Sequence, residues 1–290
     1  LTHYALPTGV LPPNTPFFTD ESEREEDISE TTPMLTATYR WNDEVMTYLS
    51  YSEGFKSGGF NTRNIAPLPS IRVFSPEYAK TLELGYKATL FDNTLRLNGA
   101  IFSTDYTDMQ FVVREGFAPI VFNAGEAKIS GLELELEWIP DESLLVTGGL
   151  GYTHAEYKRL NENVVNNGGV TIENALPFTP ELTASLGIAY ILDIDGVGTL
   201  TPRIDWSYRD SMYFDAANTQ AIGASANHTL NAAVVFYSAD EKWDLILSAS
   251  NITDEVYRIA GFSSLSSAGS YAESVYARPL SWTLDIKWNF

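Results

Sequence analysis

The segment Leu280-Ser281-Trp282-Thr283-Leu284-Asp285-Ile286-Lys287-Trp288-Asn289-Phe290 decides how this sequence folds. Leu280, Trp282, Leu284, Ile286, Trp288 and Phe290 take every second position, and Ser281, Thr283, Asp285, Lys287 and Asn289 fill the gaps. Side chains of an extended strand point alternately to opposite faces, so this pattern makes a strand with one apolar and one polar face. At about 3.3 Å per residue and a tilt near 45°, it crosses roughly 25 Å of hydrocarbon.

The same split recurs up the chain. Leu132, Leu134, Leu136 and Trp138 oppose Glu133, Glu135 and Glu137, and Leu82, Leu84, Tyr86, Ala88 and Leu90 oppose Thr81, Glu83, Gly85, Lys87 and Thr89. Leu182, Ala184, Leu186, Ile188 and Tyr190 oppose Thr183, Ser185, Gly187 and Ala189. Leu200, Ile204, Trp206 and Tyr208 oppose Thr201, Arg203, Asp205, Ser207 and Arg209. Extending this reading predicts eleven strands, at 33–41, 44–57, 74–90, 95–114, 120–138, 144–157, 179–192, 199–210, 226–238, 243–257 and 272–290. Their connections alternate in length. Tight turns fall at 42–43, 91–94, 139–143, 193–198 and 239–241, and long polar or Gly-rich loops at 58–73, 158–178, 211–225 and 258–271. Only 115–119 is short on the long-loop side. Pro202 removes one ladder hydrogen bond, close to a turn. Gly58-Gly59 and Gly168-Gly169 read as loop hinges, since no strand-to-helix context makes them phosphate cradles.

A soluble sandwich alternates too, so charge placement has to separate the two cases. The apolar faces carry no charged residue, whereas the opposite faces hold Glu83, Lys87, Glu133, Glu135, Glu137, Arg203, Asp205, Arg209, Asp285 and Lys287. Lipid excludes charge and a watery lumen accepts it. Trp41, Trp138 and Trp243 lie beside tight turns and Trp288 near the final residue, which makes one interfacial girdle; Tyr51, Tyr106, Tyr152 and Tyr208 form the expected other. The predicted fold is therefore all-β, an antiparallel up-and-down transmembrane β-barrel of the bacterial outer membrane, with short turns periplasmic and long loops extracellular. An odd number of strands and the need to close the barrel make this the expected tail of a larger one, with further strands before residue 1. No signal peptide is visible at Leu1.

Composition agrees. Hydrophobic residues make up 44% of the 290 residues, yet no apolar run approaches the roughly 18 residues of a membrane helix. The net charge of -20 repels a phosphate backbone and excludes nucleic acid as a partner. Cysteine is absent, which removes disulfides and thiolate metal sites. Residues 1–32 stand apart: Pro7, Pro12, Pro13 and Pro16 precede Asp20, Glu21, Glu23, Glu25, Glu26, Asp27 and Glu30. Without calcium-ligand spacing, they read as a solvated, acidic, Pro-rich extracellular loop ahead of a barrel domain over 33–290.

No constellation suits catalysis, a cofactor or a metal. His3, His154 and His228 share no ligand spacing. Glu133, Glu135 and Glu137 form a row along the lumen wall, within reach of Lys87 or Arg96, and not a catalytic pair. Ligand recognition is expected on the long loops and upper lumen, where Arg114, Tyr157, Arg159, Arg209, Tyr213, Phe214, Arg258 and Phe262 supply cationic and aromatic groups suited to an anionic ligand.

Several stretches resemble the TonB-dependent outer-membrane receptors. They are 48–61 (Tyr48-Leu49-Ser50-Tyr51-Ser52-Glu53-Gly54-Phe55-Lys56-Ser57-Gly58-Gly59-Phe60-Asn61), Pro76-Glu77 with Glu83-Leu84-Gly85-Tyr86-Lys87, and 102–106 with Gln110. Asn123-Ala124-Gly125-Glu126 leading into Gly131-Leu132-Glu133-Leu134-Glu135, then Asn251-Ile252-Thr253-Asp254-Glu255-Val256-Tyr257 and Phe290, continue the match. The resemblance implies a barrel of roughly 22 strands, of which this chain supplies the C-terminal half. It also implies a plug domain, TonB as a partner through an N-terminal region outside this chain, and a scarce nutrient such as a ferric siderophore as cargo. Trp288 and Phe290 resemble the terminal signal read by the barrel-assembly machinery, and outer-membrane lipid and lipopolysaccharide are further expected partners. The competing reading is the translocator barrel of an autotransporter, which the length suits but the Pro-rich, unpatterned 1–32 does not, since it offers no pore-filling helix.

Overall fold

In the computed structural model the described residues are 25–61, 72–115, 118–265 and 271–290, with the short pair His3–Tyr4 and Pro16–Phe18; the side chains of 1–24, 113–115, 118–119, 163 and 167 lie outside this set. Period-two segments pair with their sequence neighbours to build one antiparallel sheet: β1 (Met34–Arg40), β2 (Val45–Lys56), β3 (Glu77–Leu90), β4 (Leu95–Glu115), β5 (Ala118–Trp138), β6 (Leu144–Leu160), β7 (Leu182–Tyr190), β8 (Gly198–Arg209), β9 (Asn227–Ser238), β10 (Trp243–Ser250) and β11 (Ser281–Trp288). The order in space is the order in sequence, as up-and-down topology requires. The sheet is open. β1 and β11 run the same way, so they cannot close on each other as an antiparallel pair.

The tight turns are set by Asx chemistry. Asn42 Oδ1 accepts from the Glu44 and Val45 amides at 2.9 and 2.7 Å, and Asp141 Oδ1 accepts from those of Ser143 and Leu144 at 2.8 and 3.1 Å. Pro202 sits opposite Val234 within β8. On its other side the ladder stops between the Ala189–Arg203 and Leu192–Leu200 partners, which splits Leu192–Ile194 from β7 where the proline has no N–H to offer.

Register carries the apolar face across the wall. Leu49, Leu84, Ile101, Leu132 and Tyr152 are successive partners in one row, and Leu186, Trp206 and Leu230 lie in another. These side chains stand uncovered: Leu84 is 49% exposed, Ile101 52% and Leu284 61%. The opposite face is polar and cross-linked. The Tyr48 hydroxyl donates to Glu83 at 2.7 Å, Arg96 Nη1 to Glu137 at 3.0 Å and Asn98 Nδ2 to Glu135 at 3.2 Å. Arg96 thus offsets the glutamate row, as expected from the sequence. Gly85 lies beneath Tyr48, where a Cβ would fall 2.4 Å from the ring, so glycine lets the aromatic cover this stretch of wall. The girdle at the turn end is present, with Trp243 and Trp288 edge to face at 4.1 Å and Trp41 against Tyr39 at 4.7 Å.

Five expectations need correction. The loop 58–73 carries a short antiparallel pair, Gly59–Asn61 with Arg72–Phe74, so Gly59 is a strand residue and not a hinge. Strand 243–257 ends at Ser250, because Asn251 turns the chain (φ 53°) and its amide holds the Glu255 and Arg278 carbonyls at 2.9 and 3.1 Å. Strand 272–290 is two pieces, with Ala272–Tyr276 paired to Arg258–Ser263 in a separate hairpin and β11 starting after Pro279. The loop 158–178 contains a helix, α1 (Glu162–Gly168), capped by the Asn161 side chain and by Gly169 at φ 65°, so Gly169 is a helix cap and not a hinge. Tyr106 faces inward, partnered with Ala127 and packed on buried residues, so it leaves the upper girdle to Tyr51, Tyr152 and Tyr208.

The buried core lies outside the membrane band. β4, β5 and β6 extend past it on the long-loop side, and their inward faces carry Phe111, Ala124, Ala127 and Tyr157. Val164 of α1, Val170 and Leu176 fold onto them and are 0%, 3% and 4% exposed. A second cluster joins Phe214, Ile222 and Ala224, with Met212 against it.

Candidate functional site

The loops after β6, β8 and β10 meet at the mouth. The loop after β8 folds back on itself through the Met212–Ala224 bridge, with Asp215 accepting from the Thr219 amide and hydroxyl at 2.8 and 2.6 Å. Phe214 reaches Phe178 of the preceding loop at 5.6 Å, and Asn218 exchanges hydrogen bonds with Ala175. The hairpin of Arg258–Ser263 and Ala272–Tyr276 leans on the same cluster. A Cβ on Gly261 would lie 2.6 Å from Ile222 Cβ and 2.9 Å from the Phe214 ring, so this close approach requires glycine.

Of the eight residues singled out in the sequence, this packing gathers four. Arg209 leaves the polar face of β8 in register with Thr183 and Asn227, and its Nη2 donates to the Arg258 carbonyl at 3.2 Å. Arg258 Nη1 donates to the Gly223 carbonyl at 2.8 Å. Phe214 is buried beside them, and Tyr213 holds Gln220 at 2.7 Å. Phe262 is on the same hairpin, half-exposed and 6.0 Å from Tyr271. Tyr157 and Arg159 belong to the other cluster. Tyr157 is buried against Phe111 at 5.5 Å, and burial raises its phenol to about 12. It is a packing residue and not a surface for ligand. Arg159 pairs with Glu126 at 2.5 Å, which pushes the guanidinium further up. Arg114 lies in the β4 backbone opposite Pro119, with its side chain outside the described residues.

Three groups at the mouth escaped the sequence reading. Tyr257 lies under the Arg209 guanidinium at 5.9 Å and Tyr276 under that of Arg258 at 5.7 Å. Asn227 is 6% exposed. The buried Nε atoms of Arg209 and Arg258 and the Nδ2 of Asn227 make no hydrogen bond with the protein, so three donors in one neighbourhood retain capacity for an acceptor. The Arg258–Tyr257 adjacency was the available signal, but which ring serves which arginine depends on the hairpin. Below the mouth, an open depression of about 480 Å³ runs along the wall past Glu133, Glu135, Gly149, Gly151, Thr183 and Ser207.

An uncovered apolar belt, a polar opposite face and loops that pack on one another beyond the belt are the features of an outer-membrane β-barrel wall. The chain belongs to the TonB-dependent receptor-like β-barrel family, whose model matches residues 5–252. Among curated relatives, it is 27% identical to the pesticin receptor of Yersinia pestis over 253 residues, 87% of this chain and 35% of that one. It is 27% identical to the probable TonB-dependent siderophore receptor PiuA of Acinetobacter baumannii over 239 residues, 78% of this chain and 30% of the relative. The crystal structure of the ferric yersiniabactin uptake receptor FyuA from Yersinia pestis superposes with a TM-score of 0.74 at 23% identity, over 89% of this chain and 37% of that one. The chain thus spans about a third of the length of these relatives. Membership places it in the outer membrane and removes the autotransporter reading.

Proposed function

We propose that this chain is part of the wall and mouth of a receptor that imports a scarce nutrient with TonB-derived energy, and that its cargo is an anionic ferric siderophore. The observation that carries the cargo reading is the gathering of Arg209, Arg258 and Asn227 with Tyr257 and Tyr276, with buried donors unpartnered. Cationic forks suit carboxylate or catecholate oxygens, and the rings suit the ligand's apolar body. Receptors named for siderophores among its relatives support the same reading. Such a receptor is a transporter and not an enzyme. TonB would act through a part of the receptor outside this chain. We also assign residues 1–32 to the extracellular rim, where the Tyr78 hydroxyl donates to Glu30 at 2.7 Å, and Trp288 with the exposed Phe290 to recognition by the barrel-assembly machinery.

The test is uptake of radiolabelled ferric siderophores by cells whose only receptor is the full protein, with Arg209→Ala and Arg258→Ala combined. Loss of about tenfold or more in binding, with normal surface amounts of barrel, is expected. Unchanged uptake across a panel of hydroxamate, catecholate and carboxylate siderophores rejects the cargo reading.

A further inference from the structure

Among the described residues, β11 is the strand of the wall that no tight turn joins to a neighbour. β1 with β2, β3 with β4, β5 with β6, β7 with β8 and β9 with β10 are each linked by a few residues, which fixes their registers. β11 pairs with β10 only after the long excursion 251–280. Its own pattern does not place it. Trp282, Leu284, Ile286 and Trp288 repeat with period two, so a slip of two residues keeps every apolar side chain on the lipid face. At the turn end the groups that mark register are exposed: Lys287 Nζ donates to Asp244 at 3.0 Å, and Asn289 Nδ2 to the Glu241 carbonyl at 2.9 Å. Exposed pairs of this kind hold weakly.

At the other end the excursion is tied across its base. Asn251 follows Ser250, the partner of Ser281, and is 5% exposed. Its Oδ1 accepts from the Glu255 amide at 2.9 Å, and its Nδ2 donates to the carbonyls of Glu255 at 2.9 Å and Arg278 at 3.1 Å. Asp254 Oδ1 accepts from the Leu280 amide at 2.9 Å, and the Ala277 amide donates to the Tyr257 carbonyl at 3.0 Å. The outgoing segment 251–257 thus grips the returning segment 277–280 at three points. The grip is rooted on β9, where the Asn251 amide donates to Asn231 Oδ1 at 2.9 Å and the Ile252 amide to the Leu230 carbonyl at 2.8 Å. A slip of two residues moves Arg278 and Leu280 by about 6.6 Å and breaks the side-chain contacts to both.

The residue types suit the task. Asn251 and Asp254 both take positive φ, 53° and 52°, which asparagine and aspartate adopt more readily than other side chains. An asparagine amide accepts and donates at once, as the Glu255 amide and the two carbonyls require, whereas a carboxylate only accepts. We propose that Asn251 and Asp254 are the register lock of β11: they set which residues of β11 face β10, where neither a turn nor the apolar pattern does. The inference is independent of the cargo.

The experiment uses disulfide trapping in the full receptor in outer membranes, with cross-linked peptides counted by mass spectrometry. This chain has no cysteine of its own. S248C/T283C reports the register seen here, since Ser248 and Thr283 are partners, and S248C/S281C and S248C/D285C report slips of two residues. In the otherwise unaltered receptor the first pair should dominate; equal yields from the three pairs overturn the proposal. Asn251→Asp and Asn251→Gly should each raise the slipped yield about tenfold relative to the in-register one, the effect of one or two lost buried hydrogen bonds. Asp254→Ala should raise it less, and Asp254→Asn, which keeps the acceptor, should leave it unchanged. Slipped yields in Asn251→Asp no higher than in the unaltered receptor overturn the lock, even where the amount of barrel falls. So does Asn251→Gly without slippage, because backbone conformation alone would then suffice. Should the Asn251 variants fail to assemble, Asp254→Ala that slips no more than Asp254→Asn overturns it as well.

Discussion

The wall and the mouth of this protein solve opposite problems with the same residues. In the wall, Leu84, Ile101 and Leu284 stand open, and the interior face is polar and laced by Arg96–Glu137 and Tyr48–Glu83. At the mouth, Val164, Leu176 and Ile222 are closed away and polar groups face outward. The difference is the solvent. Lipid makes exposure of leucine free and exposure of charge costly, whereas water around the loops restores the usual hydrophobic driving force. A core therefore forms only where the chain leaves the membrane.

The largest expected effect that separates the two regions lies at the mouth. Leu176→Ala should cost about 2–5 kcal/mol of local stability through the lost burial and the cavity left behind. Hydrogen exchange should register it in 161–178 while the wall amides stay protected. Truncating Leu84 to Ala in the wall should do far less, since lipid fills the space; a comparable loss there would break the contrast.

Reversing the logic, Leu84→Arg on the lipid face should destabilise the barrel by about 2–4 kcal/mol if it sits near the bilayer midplane. Glu135→Gln on the polar face should stay within about 0.5 kcal/mol. Equilibrium folding of the full receptor into vesicles measures both, and equal costs would mean that the two faces are not lipid and lumen.

Tyr157→Phe is expected to stabilise the mouth by about 1 kcal/mol, because it removes a buried hydroxyl that makes no hydrogen bond within the protein. The same residue sets a pH signature. Its phenol titrates at about 12 when folded against 10.0 when exposed, so between these values the unfolded chain has already released the proton that the folded one still holds. Stability of this cluster is complete below pH 10.0 and falls as pH rises toward about 12. Exchange protection of 161–178 measured across that window should fall in the wild type and fall less in Tyr157→Phe. Arg96→Ala is also expected to have a small effect, about 0.2–1 kcal/mol for an exposed cross-strand pair. Vesicle folding of the single and double variants with Glu137→Ala gives the coupling.

How far each region was legible follows from the same contrast. The strands of the wall were legible because alternation within a strand is local, and β1, β4 and β9 match their predicted spans to within a residue or two. Tyr106 was assigned to the wrong face because the long β4–β5 hairpin extends beyond the membrane, where inward parity meets a packed cluster instead of lumen water. Helix α1 went unseen because its seven residues carry no apolar period of their own; Val164 is buried by what folds against it. At the mouth, Arg209, Arg258 and Phe214 were legible as residue types, but Tyr257, Tyr276 and Asn227 were not, since only the returning hairpin brings them together.

The sequence by itself determined the strand periodicity, the two faces, the short and long ends and the family. Those properties come from backbone geometry and from the solvent each side chain meets, both readable over a few residues. The tertiary structure alone decided which loops fold inward and which tyrosine lies under which arginine. These depend on register and on packing between residues far apart in sequence, which no local pattern encodes.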